Sequence, residues 1–139
     1  MKKIVVIDGQ GGKIGAQLID AIRERVQDGA DEVEIVAVGT NSIATSNMLR
    51  SGPDAAATGE NPVIVACRDA DVITGPIGIV IADALYGEVT PAMALAVGQS
   101  RAVRVLIPVN RCGSVVVGVE EVQMAALIRE AAERIAGLG

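Results

Sequence analysis

Histidine is absent from this chain of 139 residues, the aromatic rings come down to one tyrosine, and the two cysteines, Cys67 and Cys112, stand far apart. Each lack excludes a class of function. Without histidine there is no Ser-His-Asp triad, and without a Cys-x-x-Cys pair there is no zinc site of the usual spacing. With no Phe or Trp, the chain has no platform on which to stack the bases of single-stranded nucleic acid. The net charge of −5 leaves no basic footprint for a duplex either. Long apolar runs are missing as well. Met1-Lys-Lys is followed by only four apolar residues before Asp8, too few for the core of a secretory signal. The stretch from Val72 to Tyr86 is interrupted by Pro76 and Asp83 and is too short to span a bilayer. These absences predict a cytoplasmic protein with no nucleic-acid partner and no membrane partner. Both cysteines read as small buried apolar residues.

What remains is an aliphatic core. Half the residues are apolar, drawn from Val, Ile, Leu, Ala and Met, a composition that suits parallel strands covered on both faces. The length fits one domain, residues 1–139. Along it, strand-like and helix-like patterns alternate. Lys3–Asp8, Glu34–Val38, Asp54–Ala57, Asp71–Thr74 and Arg104–Ile107 read as five strands, and Ser114–Gly118 as a candidate sixth. Ile14, Leu18, Ile22 and Val26 recur at four-residue spacing and predict an amphipathic helix over 13–27. Further helices are expected from Asn41 or Ser42 to Arg50, from Asn61 as cap with Pro62 first, over 78–86, and from Thr90-Pro91 to Ser100. Met124, Leu127, Ile128, Ala131 and Ile135 stripe a closing helix, with Glu120 and Glu121 expected in its first turn. The alternation predicts an α/β fold: a single Rossmann-like, doubly wound parallel sheet with strand order 3-2-1-4-5.

The candidate site follows the first strand. Asp8 ends it, and Gly9-Gln10-Gly11-Gly12-Lys13-Ile14-Gly15 places four glycines in seven residues before the first helix. Such a loop brings backbone N–H groups close to a phosphate at the positive end of a helix. It is not a P-loop, because Gly12-Lys13 is followed by Ile14 rather than Ser or Thr. It reads instead as G-x-G-x-x-x-G or G-x-x-G-x-x-G, in the strand–turn–helix context of dinucleotide loops. The competing reading is a tight turn whose glycines serve only close packing. In an open parallel sheet the ligand crevice lies beyond the strand ends. Gly39-Thr40-Asn41, Thr58–Asn61 and Gly75-Pro76-Ile77-Gly78 would converge there with the first loop. NAD sites usually place Asp or Glu at the end of the second strand to hold the ribose. Here Asn41 stands in that region, and no arginine for a 2′-phosphate occurs before Arg50. NAD(P), another nucleotide and a phosphorylated metabolite all stay open as the ligand.

A reaction is not legible. Asp8 would accept hydrogen bonds from the glycine loop, orient a water or hold a metal. Asp83, Tyr86 and Lys13 are the only proton donors for a hydride-transfer reading. Cys112, in Asn110-Arg111-Cys112, is the only nucleophile near the strand ends, with no histidine to activate it. The apolar segment 77–85, followed by Met93, Leu95 and Val97, predicts a homodimer or higher homo-oligomer that covers it.

Asp8-Gly-Gln-Gly-Gly12, Gly39–Thr45, Thr58–Asn61, Gly75–Ile79, Thr90-Pro91 and Leu106–Asn110 together resemble a family of small, uncharacterised bacterial proteins found mainly in clostridia. The likeness covers nearly the whole chain. It implies a cytoplasmic stand-alone protein and carries over no functional residue.

Overall fold

Apolar residues on both faces of one strand organise the sheet. The computed structural model describes residues 2–26, 32–109, 113–119 and 123–138. Strand β1 (Lys2–Asp8) buries every side chain from Ile4 to Asp8. It is flanked on one side by β2 (Val33–Gly39) and β3 (Ala55–Thr58), and on the other by β4 (Val72–Pro76) and β5 (Val103–Ile107). All pairings are parallel, and the order is β3-β2-β1-β4-β5, as the alternation of elements predicts.

The period of two sorts the core into two layers. Ile4, Val6, Ile35 and Val72 face helices α1 (Lys13–Val26), α2 (Ser42–Leu49) and α5 (Met124–Ala136). Val5, Ile7, Val38 and Ile73 face α3 (Glu60–Cys67) and α4 (Pro91–Gln99). The chain therefore winds one way from β1 through β3 and the other way from β4 through β5. The crevice between the ends of β1 and β4 is the switch point. Two caps follow their sequence signals. Asn41 Oδ1 accepts from Ala44 N–H at the start of α2, and Thr90 Oγ1 accepts from Met93 N–H at the start of α4.

The structure departs from the sequence reading at several elements. Helix α3 begins at Glu60, capped by Gly59, so Pro62 is its third residue rather than its first. The missing proline N–H still costs nothing there, because the first four N–H groups of a helix have no internal partner. Residues 114–118 form no strand. Val115 and Val117 are exposed in an irregular segment that ends in a turn. Helix α5 starts at Met124, and the expected first-turn acids Glu120 and Glu121 lie outside the described residues.

The largest departure is the apolar segment expected as a helix over 78–86. A short 3-10 helix, Ile77–Val80, is followed by successive turns. Asp83, Leu85 and Tyr86 all take left-handed conformations, with φ of 67°, 57° and 57°. A regular helix would carry the chain away from β1. The turns fold it back, with Asp83 N–H on Val89 O at 2.7 Å and Val89 N–H on Ala84 O at 3.2 Å. Ile79, Ala84 and Val89 reach the core this way, beside Met93 and Val97 of α4. Of the apolar residues behind the expectation of a second copy, Ile79, Met93 and Val97 are buried within one chain, Ile77, Val80, Ile81 and Leu85 are half-buried, and Leu95 is exposed.

Left-handed backbone at an L-residue costs roughly 1–2 kcal/mol, which glycine avoids. Tyr86 is 98% exposed, so removing its ring sacrifices almost no packing. Tyr86→Gly should therefore raise stability by about 0.5–1 kcal/mol. The readout is a higher urea midpoint at unchanged slope, and a lowered midpoint would contradict the strain.

Candidate functional site

The glycine loop is held from beneath by one carboxylate and from the side by another. Asp8, 4% exposed at the end of β1, accepts from Gly9 N–H through Oδ1 and from Gly15 N–H through Oδ2, both at 2.8 Å. This is the hydrogen-bonding role expected of it. Glu88, delivered by the turns after β4, holds the loop from the side. Its Oε1 accepts from Gln10 N–H at 2.8 Å, Thr40 Oγ1 at 2.7 Å and Asn41 Nδ2 at 2.7 Å. The bond to Gln10 holds a residue that is itself left-handed, with φ of 51°. All four non-glycine residues with positive φ among those described thus lie in the two segments that Glu88 ties together.

Side chains of α2 complete the frame. Asn41 Nδ2 also donates to Gln10 O at 3.0 Å, and Asn47 Nδ2 donates to Gly11 O at 2.6 Å. Gly12 faces the backbone of α2: with φ of 70°, a Cβ there would sit 2.5 Å from Ala44 O. Gly15 lets α1 close onto Asp8 and the Met48 sulfur. At Gly11 a Cβ would meet nothing within 4 Å. One glycine of the loop is therefore free of any packing duty.

A cavity of about 480 Å³ opens at the switch point, within the range of small-molecule sites. Of the residues singled out in the sequence, Gly9, Gln10, Gly11, Gly12, Lys13, Ile14 and Pro76 line it together with Asp8. The others do not. Gly15 is buried in α1, Gly39 closes β2, Thr40 and Asn41 are engaged with Glu88, Gly75 is buried in β4, and Ile77 starts the 3-10 helix. Asn110, Arg111 and Cys112 lie outside the described residues. The remaining lining comes from Gln17, Gly78, Leu85, Val109 and Met124. Gly78 belongs to the Gly75–Gly78 loop expected at the crevice, but no local signal marks the other four or Glu88, whose partners are 47 to 78 residues away along the chain.

The chemistry of the lining is that of a binding site. Gly9, Gln10, Gly12 and Gly15 spend their N–H groups within the chain. Those of Gly11 and Lys13 make no hydrogen bond among the described residues. They stand at the start of α1, where the helix dipole is positive. Among the described residues the lining contains no serine, threonine, cysteine or tyrosine. Cys67 is buried elsewhere, and desolvation, only partly opposed by Lys3, pushes its thiol up to about 11, so it is inert. Among the described residues no three acidic or cysteine side chains converge to hold a metal ion. Among the same residues no helix is long and apolar enough to cross a membrane.

The two carboxylates are shifted in opposite directions from their ordinary values. Burial raises Asp8 to about 6, helped by the charge of Glu88 and opposed by the N–H groups of Gly15, Gly9 and Ile14. For Glu88, partial burial pushes upward, but the donors Gln10 N–H, Thr40 and Asn41 outweigh it and hold the acid below its ordinary value.

Fold and site together define an α/β protein with a doubly wound parallel sheet and a glycine loop at its switch point. The chain belongs to the family described as Domain of unknown function (DUF3842), whose model matches residues 3–138. No curated protein and no solved structure is significantly similar to it.

Two expectations follow from the carboxylates. Asp8 has a folded-state pKa near 6, above the unfolded value, so its contribution to stability is full below about pH 4 and is lost as the pH rises through 6. The stability difference between wild type and Asp8→Asn should accordingly fall by on the order of 2–3 kcal/mol across that window. Urea titrations at a series of pH values would measure it, and a flat difference would refute the shift. Glu88→Ala strands three donors and should cost about 2–4 kcal/mol. Glu88→Gln keeps an accepting oxygen and should lose less than half as much by the same measurement.

Proposed function

We propose that the protein binds a small phosphate-bearing ligand, a nucleotide or a phosphorylated metabolite, with the phosphate on the Gly9–Gly15 loop. The observation that carries this reading is the pairing of a cavity with unspent donors. The cavity of about 480 Å³ lies at the switch point, and the N–H groups of Gly11 and Lys13 at its edge make no hydrogen bond among the described residues. Backbone N–H groups at a helix N-terminus are suited to an oxyanion, and the exposed Lys13 adds a positive charge on the same turn. Among the described residues no nucleophile and base are paired in the lining, and this reading is of binding rather than covalent catalysis. On this reading the protein acts as a ligand-binding module of the cytoplasm, regulatory or carrier-like.

The test is thermal stability against a panel of nucleotides and phosphorylated metabolites. A true ligand at ~100 times its dissociation constant adds about 2.7 kcal/mol. Gly11→Val separates site from scaffold, because its side chain enters open space whereas one at Gly12 would strike α2. The variant should fold as wild type does and lose the ligand-induced shift. A shift of equal size in a folded Gly11→Val protein would remove the loop from the site.

A further inference from the structure

The walls of the cavity restrict what shape of ligand it accepts. A dinucleotide on a glycine loop lays its adenosine over the end of the second strand, where side chains hold the ribose. That side is closed here. Asn41 spends its amide on Ala44 N–H, Gln10 O and Glu88, and Thr40 spends its hydroxyl on Glu88. Asn47 ties α2 to Gly11 O, and Gly12 packs against the Ala44 backbone, so the loop lies tight on α2. The Glu88 carboxylate is bonded to Gln10, Thr40 and Asn41 on this side and puts a negative charge where a dinucleotide would run. None of Gly39, Thr40 or Asn41 reaches the cavity.

The cavity opens the other way, across β1 toward β4 and the start of α5. Pro76, Gly78, Leu85, Val109 and Met124 line that half, and none carries a polar side chain. We infer that the site takes a phosphate monoester with a short apolar body lying over β4, and that it does not take a dinucleotide. This rests on the phosphate reading above and narrows it. The phosphate meets the N–H groups of Gly11 and Lys13, and the body replaces water against Leu85 and Met124.

The experiment is a titration of the full chain with inorganic phosphate, butyl phosphate, AMP and NAD+, followed through backbone amide resonances. Butyl phosphate should bind about tenfold more tightly than inorganic phosphate, the gain expected from burying two methylenes. It should shift the amides of Gly11, Lys13, Gly78 and Met124 and leave Thr40 and Thr58 in place. NAD+ should bind no better than inorganic phosphate. Met124→Gln and Met124→Ser should each remove the gain for butyl phosphate and spare inorganic phosphate, since neither changes the charge of the lining. Tighter binding of NAD+ or AMP than of butyl phosphate, or shifts centred on Thr40 and Thr58, would overturn the inference and leave the phosphate reading standing. Failure of all four probes to bind would overturn both.

Discussion

Glu88 Oε1 takes hydrogen bonds from a main-chain N–H, a hydroxyl and a side-chain amide, each from a different residue at the ends of β1 and β2. The glycine loop has few side chains with which to fix its own shape, so its conformation depends on this carboxylate from the far side of the switch point. Together the three bonds are worth about 2–4 kcal/mol. They hold Gln10 left-handed and offset part of the strain of the left-handed turns at Asp83, Leu85 and Tyr86 that deliver Glu88 to its place. The strain in one segment and the order of the other are two sides of the same contact.

With the loop held, its donors divide into two sets. Most N–H groups turn inward, to Asp8, Glu88 and Gly9 O, and only those of Gly11 and Lys13 are left over. A loop ordered in advance would lose little entropy on meeting an anion of the kind proposed. The same arrangement explains the contrast between the acids. Glu88 is surrounded by donors and stays charged, whereas Asp8 is buried deeply enough for desolvation to exceed the help of its N–H partners.

The sheet was legible because its signals are local. Buried runs such as Ile4–Ile7, a four-residue helical stripe from Ile14 to Val26, and caps at Asn41 and Thr90 each lie within a few residues of the element they specify. The order 3-2-1-4-5 then follows from crossover geometry. Half of the site was legible for the same reason, since the glycine loop marks itself. Two valine-rich segments show the limit of propensity. Val63–Ala66 joins a helix because Val63, Ala66 and Cys67 find a sheet to cover, while Val115 and Val117, exposed in the described structure, form no strand.

Composition and periodicity by themselves determined an aliphatic parallel sheet with a glycine loop after its central strand. Only the tertiary structure decided that residues 81–88 turn back rather than continue as a helix, because left-handed leucine and tyrosine have no local sequence signature and persist only where distant contacts compensate them. It likewise decided that Asn41, placed by sequence where a ribose would lie, has its amide filled by Gln10, Ala44 and Glu88. Hydrogen-bond capacity is finite, and which partner takes it depends on residues that meet only after the chain has folded.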